Sequence, residues 1–441
     1  MKNLLFVGAH LGYPMDRTPL GGGAMVGLHL LRRWSAASGV RVLALGPGSA
    51  VPCGGVEYHR LETGLGPDPE LVKLSELGYA RFSRSFEAAA TRFILSRERE
   101  LPPGETVVVV NDVTEAPDLR ALARGGWRAM SLWHVDVVDY FNRMYLGGLL
   151  SPERATALWD RAARAGLDAL LPDVLHLVFA KQKAVVEESW RLAVPSRAMA
   201  RTLARCYPGR PRDGKPPVAE RTRVVPWGVW EEPAALSETE LEREAARLRA
   251  HFQLGPRTRV LMTLSRISPE KGLERLLGAL RSVEGEFPDL AVFICGEPAF
   301  MRGVSYARAV RRAAARLFRA RVFFPGYLDA ERKRVFFRVA DLFVSPSRHE
   351  SYGLTIAEAL REGVPVLACG HYGVEELLEE GYGRRLREDE PAEAGLARGL
   401  RELLADPARL RAMGAKAREA SRRMGFERSA DRLLEEALSI L

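Results

Sequence analysis

The chain has 441 residues, which is too long for one hydrophobic core and long enough for two domains of ordinary size. Its hydrophobic fraction of 47% indicates a globular protein, and its formal charge of +9 suits a nucleotide diphosphate, an anionic membrane surface or nucleic acid without choosing among them. The four cysteines are widely spaced and form no C-x-x-C motif or Cys/His cluster, which argues for a reducing compartment and against structural zinc.

The amino-terminal residues predict a βαβ unit. An apolar run at residues 4–7 predicts a strand, the glycines at 21–23 open an amphipathic helix that ends near Trp34, and residues 40–45 predict a second strand. The first apolar run is too short for a signal peptide, and no apolar stretch reaches the ~18 residues of a spanning helix, so we expect a cytoplasmic location. The G-x-G-x-x-G fingerprint is absent from this unit, so NAD binding is not supported.

The rest of the chain repeats the α/β alternation. Further strands are predicted at residues 106–110, 129–133, 192–195, 260–264, 291–295, 322–324, 342–344 and 364–368. A strand and turn near residues 224–230, followed by a charged helical segment, separate two halves of similar length. The predicted fold class is therefore α/β, with two doubly wound Rossmann-like domains facing a cleft.

The segment after the strand at 260–264 contains two cations. Ser268 is a good N-cap and Pro269 suits the first helical position, so Lys271 is predicted in the first turn of a helix. A lysine there opposes the helix dipole unless it meets an anion, so Lys271 together with Arg266 suggests a phosphate site. The alternative is a solvated surface lysine.

The most informative stretch, residues 346–368, places two carboxylates around a short glycine-containing turn. A helix is predicted at 354–362, so the amides of Gly353, Leu354 and Thr355 lie at its positive end and can bind a phosphate. Glu350 precedes the turn and Glu358 lies one helical turn inside the helix. The alternative for Thr355 and Glu358 is a capping box, in which each satisfies the other's unpaired amide.

These motifs resemble the retaining, nucleotide-sugar-dependent glycosyltransferases of family 4. The resemblance rests on two glutamates separated by seven residues, on Gly-x-Pro-Val after them, and on Arg-x-x-x-x-Lys-Gly after the strand at 260–264. It implies the GT-B fold, with Glu350 beside the donor sugar and Glu358 on the ribose hydroxyls. Arg266 and Lys271 would then clamp the donor diphosphate, together with the amides of residues 353–355.

The first half resembles the same family more loosely. Gly22, within the glycines at 21–23, matches a Gly-Gly loop that approaches the donor phosphate and the acceptor, although an ordinary tight turn fits as well. His134 follows a strand where the family has a histidine near the reaction centre; a structural histidine is the alternative. Trp227 and Trp230 replace the usual Asn and Asp of a turn, which leaves their contribution open.

The resemblance also implies a domain plan and a reaction. Residues 1–231 form the acceptor domain, 232–425 the donor domain, and 426–441 a helix that crosses back to the first domain. The expected activity is sugar transfer from a nucleoside diphosphate sugar to an unidentified acceptor hydroxyl, with retention and with no cofactor. No Asp-x-Asp motif is present, so we expect no metal ion.

Three alternative functions fit parts of the sequence. A sugar-nucleotide epimerase of the same architecture would act on the donor without an acceptor. A nucleic-acid-binding protein would explain the charge, but the sequence has no recognised binding module and no basic-aromatic repeat. A peripheral enzyme could contact an anionic membrane through Tyr79, Phe82, Phe86 and Phe93, which fall at helical spacing among arginines, although such a stripe is also typical of a buried helix face. The oligomeric state cannot be predicted.

Overall fold

A computed structural model describes residues 2–13, 21–64, 71, 74–209, 214–231, 236–299, 302–387 and 389–441. The chain divides into two compact units. Unit 1 comprises Met1–Trp227 and Glu427–Leu441, and unit 2 comprises Gly228–Phe426. In both units a parallel sheet is covered by helices, which explains why central strands such as Thr106–Val110 and Leu290–Cys295 are buried at every position and mostly apolar.

Unit 1 contains a seven-stranded parallel sheet in the order β3-β2-β1-β4-β5-β6-β7. Its strands are β1 Lys2–Val7, β2 Val40–Gly46, β3 Glu57–Arg60, β4 Thr106–Val110, β5 Arg128–Leu132, β6 Arg191–Val194 and β7 Thr222–Val224. Its helices are α1 Gly22–Trp34, α2 Glu76–Ser96, α3 Leu119–Arg124, α4 Val137–Tyr145, α5 Pro152–Arg164, α6 Asp173–Leu175, α7 Gln182–Glu188, α8 Arg197–Cys206 and α9 Val218–Arg221. A π-helical turn, His176–Lys181, joins α6 to α7.

Unit 2 contains a six-stranded parallel sheet in the order β10-β9-β8-β11-β12-β13. Its strands are β8 Arg259–Leu264, β9 Leu290–Cys295, β10 Arg321–Gly326, β11 Leu342–Ser345, β12 Val366–Ala368 and β13 Gly383–Arg385. Its helices are α10 Glu238–His251, α11 Leu273–Val283, α12 Gly303–Ala314, α13 Ala330–Val339, α14 Leu354–Arg361, α15 Ala392–Leu404 and α16 Pro407–Ser421, and α17 Phe426–Leu438 follows.

One predicted helix start is wrong. Ser268 was expected to cap an α-helix with Lys271 in its first turn, but Pro269–Lys271 is a 3-10 turn and α11 begins only at Leu273. Gly272, with φ of 58°, separates the two and ends the 3-10 turn in the left-handed region. Lys271 therefore lies in the loop after β8, outside the helix whose dipole it was expected to oppose.

The aromatic stripe of α2 packs inside unit 1. Phe82 and Phe86 are fully buried and their rings stack at 6.0 Å, while the ring of Phe93 lies 4.9 Å from that of His59. Tyr79 donates to or accepts from the Thr114 hydroxyl at 3.0 Å. The stripe at Phe82 and Phe86 is therefore a buried helix face, and the structure gives the membrane-contact hypothesis no support. Among the helices that the structure describes, none has both the length and the apolar character needed to span a bilayer.

Candidate functional site

The strand order of unit 2 reverses between β8 and β11. In open parallel sheets, ligands bind outside the carboxyl ends of the strands at such a switch point. The loop after β8 carries Arg266 and Lys271, and the loop after β11 carries Glu350 and continues into α14. The structure brings two of these predicted site residues into contact, because the Lys271 ammonium lies 2.9 Å from the Glu350 carboxylate.

The loop after β8 is held from inside by a buried carboxylate. Ser268 donates its hydroxyl hydrogen to Glu270 at 2.5 Å, and the Arg266 guanidinium lies 3.5 Å from the same carboxylate oxygen. The Glu270 carbonyl also accepts the N–H of Arg348 at 2.8 Å, which ties this loop to the loop after β11. Each cation of the predicted clamp therefore has a glutamate beside it, Glu270 for Arg266 and Glu350 for Lys271.

The start of α14 exposes backbone donors. Gly353 holds the N-cap position at a φ of 97°, in the left-handed region where a side chain is strained, and its carbonyl accepts the N–H groups of Ile356 and Ala357. The N–H groups of Leu354 and Thr355 have no acceptor within the part of the chain that the structure describes. Two amides at the positive end of an eight-residue helix are therefore available to an anion.

Glu358 is bonded to a lysine. Its carboxylate lies 2.7 Å from the Lys333 ammonium of α13, and only 8% of the residue is exposed. The capping-box interpretation is wrong, because Gly353 occupies the N-cap without a side-chain bond and Thr355 lies inside the helix. Within the carboxylate, Oε1 accepts the hydrogen bond from Lys333.

A buried histidine missed in the sequence fixes the backbone of Glu350. Nδ1 of His371 lies 3.1 Å from the Glu350 backbone nitrogen and 2.5 Å from its carbonyl oxygen. His371 follows β12, which pairs with β11, so both residues lie at the carboxyl edge of the sheet. A histidine just after a predicted strand was the only signal that the sequence offered for it.

Unit 1 has its own switch point, between β1 and β4, and it holds a polar network that the sequence interpretation missed. The imidazole of His10 lies 2.9 Å from one carboxylate oxygen of Glu115, and the Ala9 N–H donates to the other at 2.7 Å. Burial alone would raise the pKa of Glu115, but the charge and hydrogen bond of His10 lower it below its ordinary value. The sequence signals were short: His10 follows β1 and Glu115 follows β4.

His134 and Gly22 lie at the same edge of unit 1. Nε2 of His134 is 3.1 Å from the side-chain oxygen of Asn111, and the His134 ring is 5.2 Å from that of Trp227. Gly22 is the first residue of α1, and a Cβ on the next residue, Gly23, would come within 2.8 Å of the His134 ring. Partial burial lowers the pKa of His134 to about 4, so the ring is neutral at pH 7.

The two tryptophans of the predicted turn are packing residues. Trp227 and Trp230 are both buried, and the Trp230 ring meets that of Phe426 edge to face at 5.6 Å. The Trp230 carbonyl accepts a hydrogen bond from Arg361 of α14. Gly228, which lies between the tryptophans, donates its N–H to the hydroxyl of Tyr352 at 2.9 Å. Tyr352 directly precedes Gly353, the N-cap of α14. The turn thus supports the loop that leads into α14.

Asp112, beside Glu115, gives a pH-dependent prediction. Burial and the Glu115 charge raise its pKa to about 6, so between about pH 4 and pH 6 the folded state binds more protons at this site than the unfolded state, and stability falls as pH rises. His134, with its lowered pKa, acts in the opposite direction over the same range. We expect Asp112→Asn to leave stability nearly unchanged at pH 4 and to raise it by on the order of 1–2 kcal/mol at pH 7.5.

Urea unfolding of the wild-type protein and of Asp112→Asn, measured between about pH 4 and pH 7.5, checks the prediction. Asparagine keeps an oxygen that can accept the Thr114 N–H, now bonded to Asp112 at 3.0 Å, so the loop itself should be preserved. A difference in stability that does not vary with pH would contradict the assignment of a raised pKa to Asp112.

Part of the chain is similar to known glycosyltransferases. Residues 246–420 match the family described as glycosyl transferases group 1. A D-inositol 3-phosphate glycosyltransferase of Rhodococcus opacus is 31% identical over 259 residues, 58% of this chain and 54% of that protein. A GDP-mannose-dependent alpha-(1-6)-phosphatidylinositol monomannoside mannosyltransferase of Mycolicibacterium smegmatis is 33% identical over 181 residues, 39% of this chain and 45% of that protein. The chain spans about half the length of the curated relatives it matches.

Solved structures resemble the whole chain. Sucrose-phosphate synthase from Thermosynechococcus elongatus has a TM-score of 0.69 and 19% identity, over 99% of this chain and 98% of that one. Anabaena HepE in complex with UDP-glucose has a TM-score of 0.66 and 17% identity, over the full length of both chains. At these identities the likeness concerns the fold alone, and it confirms the predicted α/β class with two doubly wound GT-B domains.

Proposed function

We propose that the protein transfers a sugar from a nucleoside diphosphate sugar to an acceptor hydroxyl, with retention and without a metal ion. The match of residues 246–420 to the glycosyl transferases group 1 family supports this choice of reaction. The observation that carries the proposal is the contact between Lys271 and Glu350 at the switch point, beside the free amides of α14. It places a cation, a carboxylate and a helix start around one position. The matched family and the UDP-glucose complex of HepE support this choice of donor class.

In this proposal the diphosphate lies against the start of α14. The amides of Leu354 and Thr355 donate to phosphate oxygens, and Lys271 and Arg266 supply positive charge. The diphosphate gains negative charge as it leaves the sugar, and fixed donors that meet charge developing in the transition state make the largest contributions to rate. Arginine and lysine can provide this stabilisation where other enzymes use a metal ion.

The two glutamates have separate roles. Glu350 is bonded to Lys271, so a phosphate that contacts Lys271 brings Glu350 beside the sugar attached to it. Glu358 accepts the ribose hydroxyls while its Oε1 stays bonded to Lys333. Lys333 thereby orients the carboxylate, and the negative charge of Glu358 strengthens each hydrogen bond that it accepts.

We further propose that the acceptor binds to unit 1, at the switch point of its sheet. There the Glu115 carboxylate with His10, and the neutral ring of His134, offer acceptors and donors suited to the hydroxyl groups of a polyol or saccharide. Retention requires the acceptor to approach the face that the diphosphate leaves. The acceptor oxygen then bonds to the anomeric carbon as the carbon–oxygen bond to phosphate breaks, and the hydroxyl proton passes to the departing phosphate oxygen.

An assay in the presence of a chelator tests the reaction. A thermal-shift screen of nucleoside diphosphates first identifies the base, since a ligand at ~100 times its Kd adds about 2.7 kcal/mol of stability. With the matching sugar donor and saccharide or polyol acceptors, we expect transfer to continue at an unchanged rate in excess EDTA. NMR of the first product should show the anomeric configuration of the donor.

Each part of the proposal has its own contrary result. Activity that EDTA abolishes and Mg²⁺ or Mn²⁺ restores would contradict the proposal that the diphosphate is bound without a metal ion. A product with inverted anomeric configuration would contradict the proposal of retention. Conversion of the donor to an epimer with no acceptor present would favour the sugar-nucleotide epimerase instead.

A further inference from the structure

A second concave site lies at the end of the unit 1 sheet where the strands begin, opposite the end that carries His10 and His134. A cavity of about 500 Å³ is lined by residues that precede three neighbouring strands. Arg124 and Trp127 come before β5, Trp190 comes before β6, and Lys215 comes before β7. Since the strands are parallel, their amino ends share one edge, and His134 and Ser196 follow the carboxyl ends of β5 and β6 at the other edge. The cavity is therefore separate from the proposed acceptor site.

The cavity is strongly cationic. Among the residues that the structure describes, Arg120, Arg124, Arg128 and Lys215 line it with one carboxylate, that of Glu188, so this lining carries a formal charge of +3 (four cations less one anion). A cavity of this volume is in the ordinary range for a small-molecule site. Like charges gathered in a concave surface focus the field on an anion.

Two of the cations are held in position by an aromatic ring. The guanidinium of Arg128 lies 5.0 Å from the centre of the Trp190 ring, and the ammonium of Lys215 lies 5.8 Å from it. Arg128 also donates to the Ile440 carbonyl, and Lys215 lies 3.2 Å from the Glu188 carboxylate. Their side chains are thus ordered before any ligand arrives, which lowers the entropy lost on binding.

The other two arginines differ in their partners. Arg120 pairs with Glu187 at 2.9 Å and lies 4.0 Å from Glu188. Arg124 is exposed and has no hydrogen bond or ion pair with any residue that the structure describes. Within the described part of the chain, Arg124 therefore has its whole guanidinium available, next to cations whose charge is only partly balanced.

We propose that this cavity binds a phosphate group, either of a small phosphorylated molecule or of a lipid headgroup. Phosphate fits for two reasons. Its charge of about −2 offsets more of the +3 lining than a carboxylate would, and its oxygens match the paired N–H groups of arginine, so that Arg124 and Arg128 can each bind it through two hydrogen bonds. The site is independent of the proposed sugar transfer.

Fluorine NMR with pyrophosphate as the probe tests this site directly. The chain has seven tryptophans, so labelling with 5-fluorotryptophan gives seven resonances. Trp127 and Trp190 both line the cavity, and a Trp190→Phe variant identifies the resonance of Trp190. We expect pyrophosphate to shift the Trp190 resonance with saturation. Arg124→Glu removes a guanidinium that would bind the phosphate and adds a charge that repels it. In this variant we expect the Kd for pyrophosphate to rise at least tenfold.

Arg161→Glu is the matched control. Arg161 is exposed on α5 outside the cavity, and this variant changes the net charge by the same amount, so it should bind as the wild-type protein does. A Trp190 resonance that stays fixed at millimolar pyrophosphate overturns the proposal, and so does an equal response in Arg124→Glu. Pyrophosphate bound only at the donor site of unit 2 would give one of these two results.

Vesicles distinguish the source of the phosphate. Sedimentation with phosphatidylglycerol vesicles, compared with phosphatidylcholine vesicles, measures headgroup binding. If the cavity takes a headgroup, wild-type and Arg161→Glu proteins sediment with phosphatidylglycerol and Arg124→Glu does not. If it takes a free phosphorylated molecule, the three proteins sediment alike while the NMR difference between them remains.

Discussion

Lys271→Ala is expected to lower kcat for sugar transfer by about a hundred- to a thousandfold, the usual loss when one fixed donor to a developing negative charge is removed. Lys271 is bonded to Glu350, so the same substitution leaves that carboxylate without its cation. A loss of activity alone would therefore not separate a role on the phosphate from a role in positioning Glu350.

Nucleoside diphosphate binding separates the two roles. If Lys271 contacts the phosphate, Lys271→Ala should raise the Kd for the diphosphate tenfold or more, while Glu350→Gln leaves it within about threefold. If Lys271 only positions Glu350, both single variants and the double variant should bind the diphosphate alike. Lys416→Ala, which removes an exposed lysine of α16, is the matched control and should keep wild-type activity.

The central strands could be predicted from the sequence because burial on both faces makes them continuous apolar runs. β4 is TVVVV and β9 is LAVFIC, and each was predicted to within one residue. The missed strands, β3 and β13, are edge strands with the sequences EYHR and GRR. These two short strands have only one neighbouring strand each, and neither contains an apolar run that the sequence could show.

The position of the candidate site in unit 2 could be predicted because its sequence motifs directly follow predicted strands. Arg266, Lys271 and Glu350 lie after strands that flank the reversal of strand order, a position that parallel sheets assign to ligands. The pairing of Lys271 with Glu350 was not predictable, because it joins loops 79 residues apart and depends on how the strands are ordered. The same applies to His10 and Glu115, which follow strands that are adjacent in space and distant in sequence.

The same four-residue spacing forms a capping box in α10 and does not form one in α14. In α10, Ser237 occupies the N-cap and bonds the Glu240 amide while the Glu240 carboxylate bonds the Ser237 amide, so a box forms. In α14 the same spacing of Thr355 and Glu358 is present, but Gly353 takes the N-cap and the helix starts two residues earlier. The carboxylate of Glu358 is then free of the backbone and available for another role.

Glu358→Gln is expected to weaken nucleoside diphosphate binding by roughly ten- to a hundredfold, because a hydrogen bond to a charged group contributes about 1.5–3 kcal/mol. Glutamine has almost the shape of glutamate and retains an oxygen that can accept from Lys333, now 2.7 Å from the carboxylate. We therefore expect only a small change in the melting temperature of the free protein. Calorimetric titration gives the affinity and a thermal scan gives the stability.

A nucleotide that lacks the ribose hydroxyls decides whether the loss occurs at the ribose. The wild-type protein should bind the ribonucleoside diphosphate roughly ten- to a hundredfold more tightly than its 2′,3′-dideoxy analogue, and Glu358→Gln should bind both with the same low affinity. Glu362→Gln, one turn further along at the end of α14, loses a carboxylate that faces Arg361 at 3.3 Å and should keep the wild-type preference. If Glu358 serves only to hold Lys333, then Glu358→Gln will retain that preference, and Lys333→Gln will lower the melting temperature as much as Glu358→Gln does.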